Sequence, residues 1–126
     1  MALVISELLV FEMKNVLLSF GKYFKIFNSE EENPIIIDVR EDSELEIACF
    51  PREFLHLPIS KVSAEYVKTK ISDLKDKKFV VLCHAGIRSY NFGQWALENN
   101  LVNEIWNLEE GIDGWSQYID QTIPRY

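Results

Sequence analysis

The apolar residues of this chain are concentrated in short runs that are separated by longer stretches of mixed character. Four of these runs cover residues 35–37, 54–57, 79–82 and 105–108. Short, nearly continuous apolar runs are typical of strands that are buried on both faces of a sheet. We therefore predict a short strand at each of the four positions.

Three segments between and after these runs have the spacing of amphipathic helices. The first begins after Ser63, which is a suitable N-cap, and places Val67 and Ile71 on one face. The other two cover residues 90–99 and 111–118. Strands that alternate with helices predict an α/β fold with a mostly parallel central sheet flanked by helices. In such sheets, ligands bind beyond the carboxyl ends of the strands.

The N-terminal part of the chain has a different pattern. Apolar side chains recur at helical spacing over residues 9–20, and this predicts a helix. Residues 28–34 contain three consecutive glutamates and are expected to form a solvated loop. We predict a single domain over residues 1–126, with an N-terminal helical segment at 1–33, whose docking the sequence does not define, and a core at 34–126.

Composition and charge narrow the class of protein. Of the 126 residues, 48% are hydrophobic and 26% are charged, which indicates a globular rather than a disordered chain. The net charge of −7 argues against general binding to nucleic acid or to an anionic membrane. It does not exclude a small anionic substrate, because a local positive site can exist in a negative protein.

The N-terminus and the cysteine count indicate a cellular location. The N-terminus has no positively charged region before its apolar residues, so we predict neither a signal peptide nor a membrane span. Two cysteines in a chain of this length do not make a disulfide scaffold. We expect a free thiol and a cytoplasmic location.

The segment from Phe79 to Ser89 carries the most chemical information. An apolar run stops at Cys83, a short loop with Gly86 near its middle follows, and Arg88 stands five positions after the cysteine. An order of strand, loop and helix start points backbone N–H groups and the positive end of a helix at one sulfur atom. We expect the thiol to lose its proton easily and to act as a nucleophile.

Three segments in this order together resemble the single-domain rhodaneses, a family of sulfurtransferases. They are Asp-Val-Arg-Glu at 38–41, Cys-His-Ala-Gly-Ile-Arg-Ser at 83–89, and Leu-Glu-Glu-Gly-Ile-Asp-Gly-Trp at 108–115. The ending Pro124-Arg125-Tyr126 is similar to a small bacterial branch of that family. The resemblance covers roughly residues 34–126.

The sequence departs from the family pattern in two places. Residues 50–60 lack the glycines that the family often has before its second strand. Glu110 stands where the family usually has the first of two adjacent glycines. The first departure affects the expected conformation of that loop and not the thiol.

The resemblance implies a reaction and a site. Cys83 would take a sulfane sulfur from a donor such as thiosulfate, hold it as a persulfide, and pass it to a thiophilic acceptor such as cyanide or a thiol. No metal and no organic cofactor would be needed. The expected partners are an anionic small donor, the acceptor and a sulfur-accepting protein, with no nucleic acid and no membrane. The residues expected to bind substrate are His84, Ala85, Gly86, Ile87, Arg88 and Ser89.

Several of these residues have two interpretations. Arg88 is expected to hold an anionic donor and stabilise the thiolate, or to form a structural ion pair with an acidic side chain. His84 either contacts substrate or faces water. Gly86 would let the loop close without a Cβ clash. We interpret Ser89 as an N-cap, with a hydroxyl near the site as the alternative.

Asp38, Arg40 and Cys49 are expected to have structural roles. Asp38 and Arg40 follow a strand near the site, where polar contacts would fix the neighbouring loops. Cys49 is expected to be a buried small residue, and the alternative is a resolving thiol for the persulfide.

Other chemistries fit the sequence less well. Cysteine-dependent phosphatases of related layout have five residues between Cys and Arg, whereas four lie between Cys83 and Arg88. A smaller ring suits one sulfur atom better than a phosphate. A zinc site made of Cys49, His56, Cys83 and His84 lacks metal-site spacing. A persulfide carrier for a specific partner and a non-catalytic binding module remain as alternatives, and the intact Cys83 argues against the second.

Overall fold

Five strands form one parallel sheet in the order β1-β5-β4-β2-β3. The computed structural model describes residues 33–126 and the backbone of residues 15–18. The strands are β1 Asn15–Leu18, β2 Ile35–Asp38, β3 Leu55–His56, β4 Phe79–Leu82 and β5 Ile105–Leu108. All neighbouring strands run parallel, which confirms the predicted fold class and the four predicted strands.

Helices connect the strands on both sides of this sheet. They are α1 Asp42–Ile47, α2 Ala64–Ile71, α3 Ile87–Glu98 and α4 Gly111–Tyr118, with 3-10 turns at Ile59–Lys61 and Ser72–Leu74. Ser63 caps α2 as predicted, since its hydroxyl accepts a hydrogen bond from the backbone N–H of Tyr66. Within residues 33–126, no helix is long and apolar enough to cross a bilayer.

The predicted helix over residues 9–20 is wrong where the structure describes it. Residues 15–18 form β1, which pairs with β5 in parallel register and places Val16 opposite Trp106. Apolar spacing in a short segment fits either a helix or a strand, and β5 would otherwise have an open edge. The rest of the predicted helix, like the remainder of the N-terminal segment, lies outside the described residues.

The hydrophobic core consists of two layers, one on each face of the sheet. Strand β4 is fully buried, and its alternate residues contribute to opposite layers. On one face, Phe79 and Val81 belong to the layer that α2 and α3 cover; on the other, Val80 and Leu82 belong to the layer that α4 covers. Burying each such side chain contributes about 1.5–3 kcal/mol. The strand that leads to Cys83 is therefore held rigidly at the centre of the sheet.

Candidate active site

Cys83 lies directly after β4, at the carboxyl end of the sheet. Its Sγ accepts hydrogen bonds from the backbone N–H of Gly86 at 3.1 Å and of Ser89 at 3.4 Å. The Ser89 hydroxyl donates a third at 3.3 Å. The residue is only 1% exposed. The loop and the first turn of α3 thus surround the sulfur with donors, the arrangement that the sequence predicts.

Gly86 fits its position because of its backbone conformation. It precedes α3 with a φ of 97°, and a Cβ there would lie 3.0 Å from the carbonyl oxygen of Glu109. The carbonyl of Gly86 accepts a 3.0 Å hydrogen bond from Nδ2 of Asn107 on β5. This residue is therefore what allows the loop to close, as predicted, and Asn107 is a supporting contact that the sequence did not indicate.

The interpretation of Ser89 as an N-cap is wrong. Gly86 is the N-cap of α3, and Ser89 is buried inside the first turn of that helix. The reason is that Gly86, with its positive φ, turns the chain into the helix at Ile87, three residues before the start that the amphipathic pattern indicates. The alternative is correct, because the hydroxyl of Ser89 reaches Cys83.

The remaining loop residues lie around the rim of the site. Ala85 is exposed and Ile87 is 72% exposed, whereas His84 and Arg88 are half-buried. The side chains of Ala85 and Ile87 face outward, so we expect these two residues to contribute to binding mainly through their backbone. The first N–H groups of a helix have no intrahelical acceptor. In α3, that of Ser89 donates to Sγ of Cys83, and we expect those of Ile87 and Arg88 to be available to a bound anion.

Arg88 forms an ion pair with Glu44 of α1. Its Nη1 and Nη2 donate to Oε1 and Oε2 of Glu44 at 2.7 and 2.9 Å. The predicted ion pair between Arg88 and an acidic side chain is therefore present. Binding of an anionic donor by Arg88 stays a prediction. Neither α1 nor the role of Glu44 was predicted from the sequence. The spacing Glu41-x-x-Glu44 is that of a capping box, which α1 does form, and this signal could have revealed the helix.

Tyr126 joins this ion pair to the rest of the site. Its hydroxyl accepts a hydrogen bond from Nη1 of Arg40 at 3.1 Å and donates one to Oε2 of Glu44 at 2.7 Å. Its ring stacks on His84 with 4.1 Å between centroids. Burial and the hydrogen bond to Glu44 raise the pKa of Tyr126 to about 12, although Arg40 opposes the shift. The hydroxyl therefore stays protonated and remains a donor.

His84 is held by this stacking rather than by a strong polar contact. Its Nε2 lies 3.9 Å from Oδ1 of Asp113, which is too far for a hydrogen bond. The side chain of His84 is 31% exposed. It neither faces water fully nor is buried, and its contact with substrate stays a prediction.

Asp38 and Arg40 form a fully buried pair below the loop. Nη2 of Arg40 lies 2.8 Å from Oδ2 of Asp38, and the backbone N–H of Arg40 donates to Oδ1 at 3.0 Å. Nη1 of Arg40 also reaches the carbonyl oxygen of Glu44 at 3.4 Å. Burial lowers the pKa of Arg40, but its hydrogen bonds and charge interaction with Asp38 outweigh that effect and leave it raised. These contacts fit the structural role that we expect of the pair.

The first turn of α4 fixes the start of the loop at residues 83–86, which we call the catalytic loop because of the role that we expect of Cys83. The backbone N–H of Ile112 donates to the carbonyl of Cys83 at 2.9 Å, and that of Asp113 donates to the carbonyl of His84 at 3.0 Å. Gly111 approaches so closely, with a φ of 62°, that a Cβ would overlap both carbonyl oxygens. Glu110 has an ordinary φ of −107°, which explains why its position does not require glycine.

Cys49 does not have the predicted burial. Its side chain is exposed, whereas its neighbours Ala48 and Phe50 are each 2% exposed and take the inward positions. The expectation of a buried small residue is therefore wrong, and the resolving role stays a hypothesis. Among residues 33–126, no three side chains of His, Cys, Asp or Glu are grouped as metal ligands would be.

We expect the Glu44–Arg88 pair to make stability depend on pH. Arg88 lowers the pKa of Glu44 from 4.5 to about 2, against an opposing effect of burial. A carboxylate with a lowered pKa stabilises the fold above its unfolded-state pKa, and this contribution is lost as the pH falls through the folded-state value. Between pH 5 and about pH 2, wild type should therefore lose more unfolding free energy than Glu44→Gln. Urea titrations of both proteins at several pH values would test this, and parallel losses would contradict it.

Comparison with known proteins agrees with this geometry. Residues 26–118 match the family described as Rhodanese-like domain. Rhodanese-like/PpiC domain-containing protein 12, chloroplastic, from Arabidopsis thaliana is 34% identical over 93 residues, which are 72% of this chain and 30% of that protein. The adenylyltransferase and sulfurtransferase UBA4 of Debaryomyces hansenii is 30% identical over 113 residues, 86% of this chain and 25% of that protein.

The solved structures support the fold. The thiosulfate sulfurtransferase from Pseudomonas aeruginosa aligns with a TM-score of 0.68 at 21% identity, over 96% of this chain and 22% of that one. The chain spans about a quarter to a third of the two curated relatives described above.

Proposed function

The chain belongs to the rhodanese-like domain family, and on that premise we propose that it is a sulfurtransferase whose Cys83 carries sulfur as a persulfide. The observation that supports this most is the set of three hydrogen bonds that converge on Sγ of Cys83. Donors placed in this way stabilise a negative sulfur, whether it is a thiolate or a persulfide.

The reaction that we propose has two steps. The Cys83 thiolate attacks the outer sulfur of thiosulfate, the S–S bond of the donor breaks, and sulfite leaves with the bonding electron pair. Cyanide or a thiol then attacks the outer sulfur of the persulfide and restores the thiolate. The chemistry needs a nucleophilic sulfur and N–H donors, which the start of α3 supplies.

The loop size supports sulfur transfer over phosphoryl chemistry. Four residues separate Cys83 from Arg88, and the N–H groups of Gly86 and Ser89 are already directed at Sγ itself. A phosphate would need a ring that opens further from the sulfur. We keep an anionic small donor, a thiophilic acceptor and a sulfur-accepting protein as proposed partners, and the cytoplasm as the proposed location, since a free thiol suits a reducing compartment.

The test is the intact mass of the protein after incubation with thiosulfate. We expect a gain of one sulfur atom, followed by its loss and the release of an equal amount of thiocyanate when cyanide is added. The Cys49→Ser variant is the control and should gain the same mass. If the protein gains no sulfur either from thiosulfate or from a thiosulfonate, which carries one negative charge instead of two, the proposed function is wrong.

The same experiment addresses the two alternatives. A persulfide carrier would gain the sulfur but release it slowly to cyanide, and faster when a partner protein is present. A non-catalytic binding module would not gain the sulfur.

A further inference from the structure

The arginines that surround the catalytic loop are each paired with a carboxylate. The pairs and their shortest N–O distances are Arg88–Glu44 at 2.7 Å, Arg40–Asp38 at 2.8 Å and Arg125–Asp113 at 2.9 Å. Each pair has no net charge, so these arginines leave little positive potential at the rim of the site. A donor with two negative charges therefore gains little electrostatic attraction at this site.

Glu44 is the carboxylate that pairs with Arg88 of the loop, and it is held firmly. Four donors reach its side chain: both terminal nitrogens of Arg88, the Tyr126 hydroxyl, and the backbone N–H of Glu41. Its side chain is 17% exposed. The lowered pKa of Glu44 keeps it charged at every physiological pH. A sulfur donor that replaced Glu44 as the partner of Arg88 would have to break several of the contacts of Glu44.

Arg88 lies next to the thiol. It immediately precedes Ser89, whose backbone N–H and hydroxyl both donate to Sγ of Cys83. A sulfane-sulfur donor that reaches Sγ therefore lies near both the positive charge of Arg88 and the negative charge of Glu44.

We propose that Glu44 determines donor specificity by neutralising Arg88, so that the site favours sulfane-sulfur donors with at most one negative charge over the thiosulfate dianion. Persulfides and thiosulfonates belong to this class. The inference rests on the proposed function and names its substrate class. At an effective dielectric constant of 40–80, one unit charge about 6 Å from a dianion changes a rate about ten- to a hundredfold. Removing the charge of Glu44 would therefore leave Arg88 to attract thiosulfate by a factor of this size.

A pair of donors isolates the effect of one charge. Methanethiosulfonate has a methyl group where thiosulfate has one oxygen, and it is a monoanion. With either donor, the Cys83 thiolate attacks the outer sulfur and the S–S bond breaks. Sulfite leaves from thiosulfate and methanesulfinate leaves from methanethiosulfonate, in each case with the bonding electron pair. The product on the protein is the same persulfide.

The test compares Glu44→Gln with wild type for both donors, measuring kcat/KM by the release of thiocyanate. Glutamine keeps the shape of the side chain and an oxygen for Arg88, but it removes the charge. We expect kcat/KM to rise about tenfold or more for thiosulfate and about threefold for methanethiosulfonate, because the second donor carries half the charge. Glu46→Gln, an exposed position on the same helix, is the matched control and should leave both values within about twofold.

The outcomes separate this inference from the proposed function. An unchanged ratio between the two donors, or an equal loss of both reactions, would overturn the role of Glu44 while leaving the persulfide mechanism in place. Absence of a persulfide with either donor in wild type would overturn both.

A measurement on wild type alone covers the case in which Glu44→Gln does not fold. A neutralised Arg88 exerts no net attraction for salt to screen, so kcat/KM for thiosulfate should fall no more steeply with ionic strength than that for methanethiosulfonate. A steeper fall for thiosulfate would reveal a positive charge that Glu44 does not neutralise, and it would overturn the inference.

Discussion

The substitution Cys83→Ser should abolish sulfur transfer while leaving the fold in place. Serine is close to cysteine in size and accepts the same hydrogen bonds, but its hydroxyl is a far poorer nucleophile near neutral pH and does not form a persulfide. We expect the rate of thiocyanate release to fall by about a thousandfold or more, and the free energy of unfolding to change by about 1 kcal/mol or less. Thiocyanate assays and urea unfolding would measure the two quantities.

Cys49→Ser is the matched control for this experiment. Cys49 is exposed, and its Sγ makes a weak contact with the carbonyl oxygen of Phe50 at 3.8 Å, so its replacement should preserve most of the activity. Comparable thiocyanate release by Cys83→Ser would refute the persulfide mechanism. A loss in Cys49→Ser as complete as that in Cys83→Ser would mean that the two thiols act together or that the nucleophile was assigned to the wrong residue.

The sequence predicted those parts of the fold that local pattern determines. Strands β2, β4 and β5 are apolar or nearly so along their length, and burial on both faces leaves a strand as the simplest structure for them. The helix after Ser63 has both a cap and a periodic apolar face. Cys83 was found for the same reason, since it follows such a strand and precedes a glycine-containing loop.

What the sequence did not predict depends on contacts between distant segments. Strand β1 is stabilised by hydrogen bonding to the edge of β5, and the apolar spacing of β1 itself indicates a helix equally well. Helix α1 has six residues and no buried face, so the sequence has no periodic pattern of apolar residues that would indicate it. Glu44 and Tyr126 are 82 positions apart and meet only in the folded chain, which is why their part in the site was missed.

Within the segment 108–115, Gly111 is the position where we expect substitution to reduce stability most. In Gly111→Ala, the new Cβ would overlap the carbonyl oxygens of Cys83 and His84, and alanine would have to adopt a left-handed φ of 62°. The left-handed conformation alone costs about 1–2 kcal/mol. The overlap would also weaken the two hydrogen bonds from α4 to those carbonyls, each of which contributes about 1 kcal/mol. We expect a total loss of roughly 3 kcal/mol or more in unfolding free energy.

The same substitution should also slow catalysis in the molecules that remain folded. The carbonyl of Cys83 belongs to the residue that carries the nucleophile, so a shift of its backbone moves Sγ away from the N–H groups of Gly86 and Ser89. Misplacement by about 1 Å can cost a hundredfold in rate. Urea unfolding and persulfide formation, measured well below the melting temperature of the variant, would separate the two effects.

Glu110→Ala is the control for Gly111→Ala, because it changes the neighbouring residue at an ordinary φ of −107° and an exposed side chain. We expect it to alter stability by about 0.5 kcal/mol or less. If Gly111→Ala were as stable and as active as Glu110→Ala, the close approach of α4 would not fix the catalytic loop. The hydrogen bonds that Sγ accepts would then have to hold the loop without support from α4.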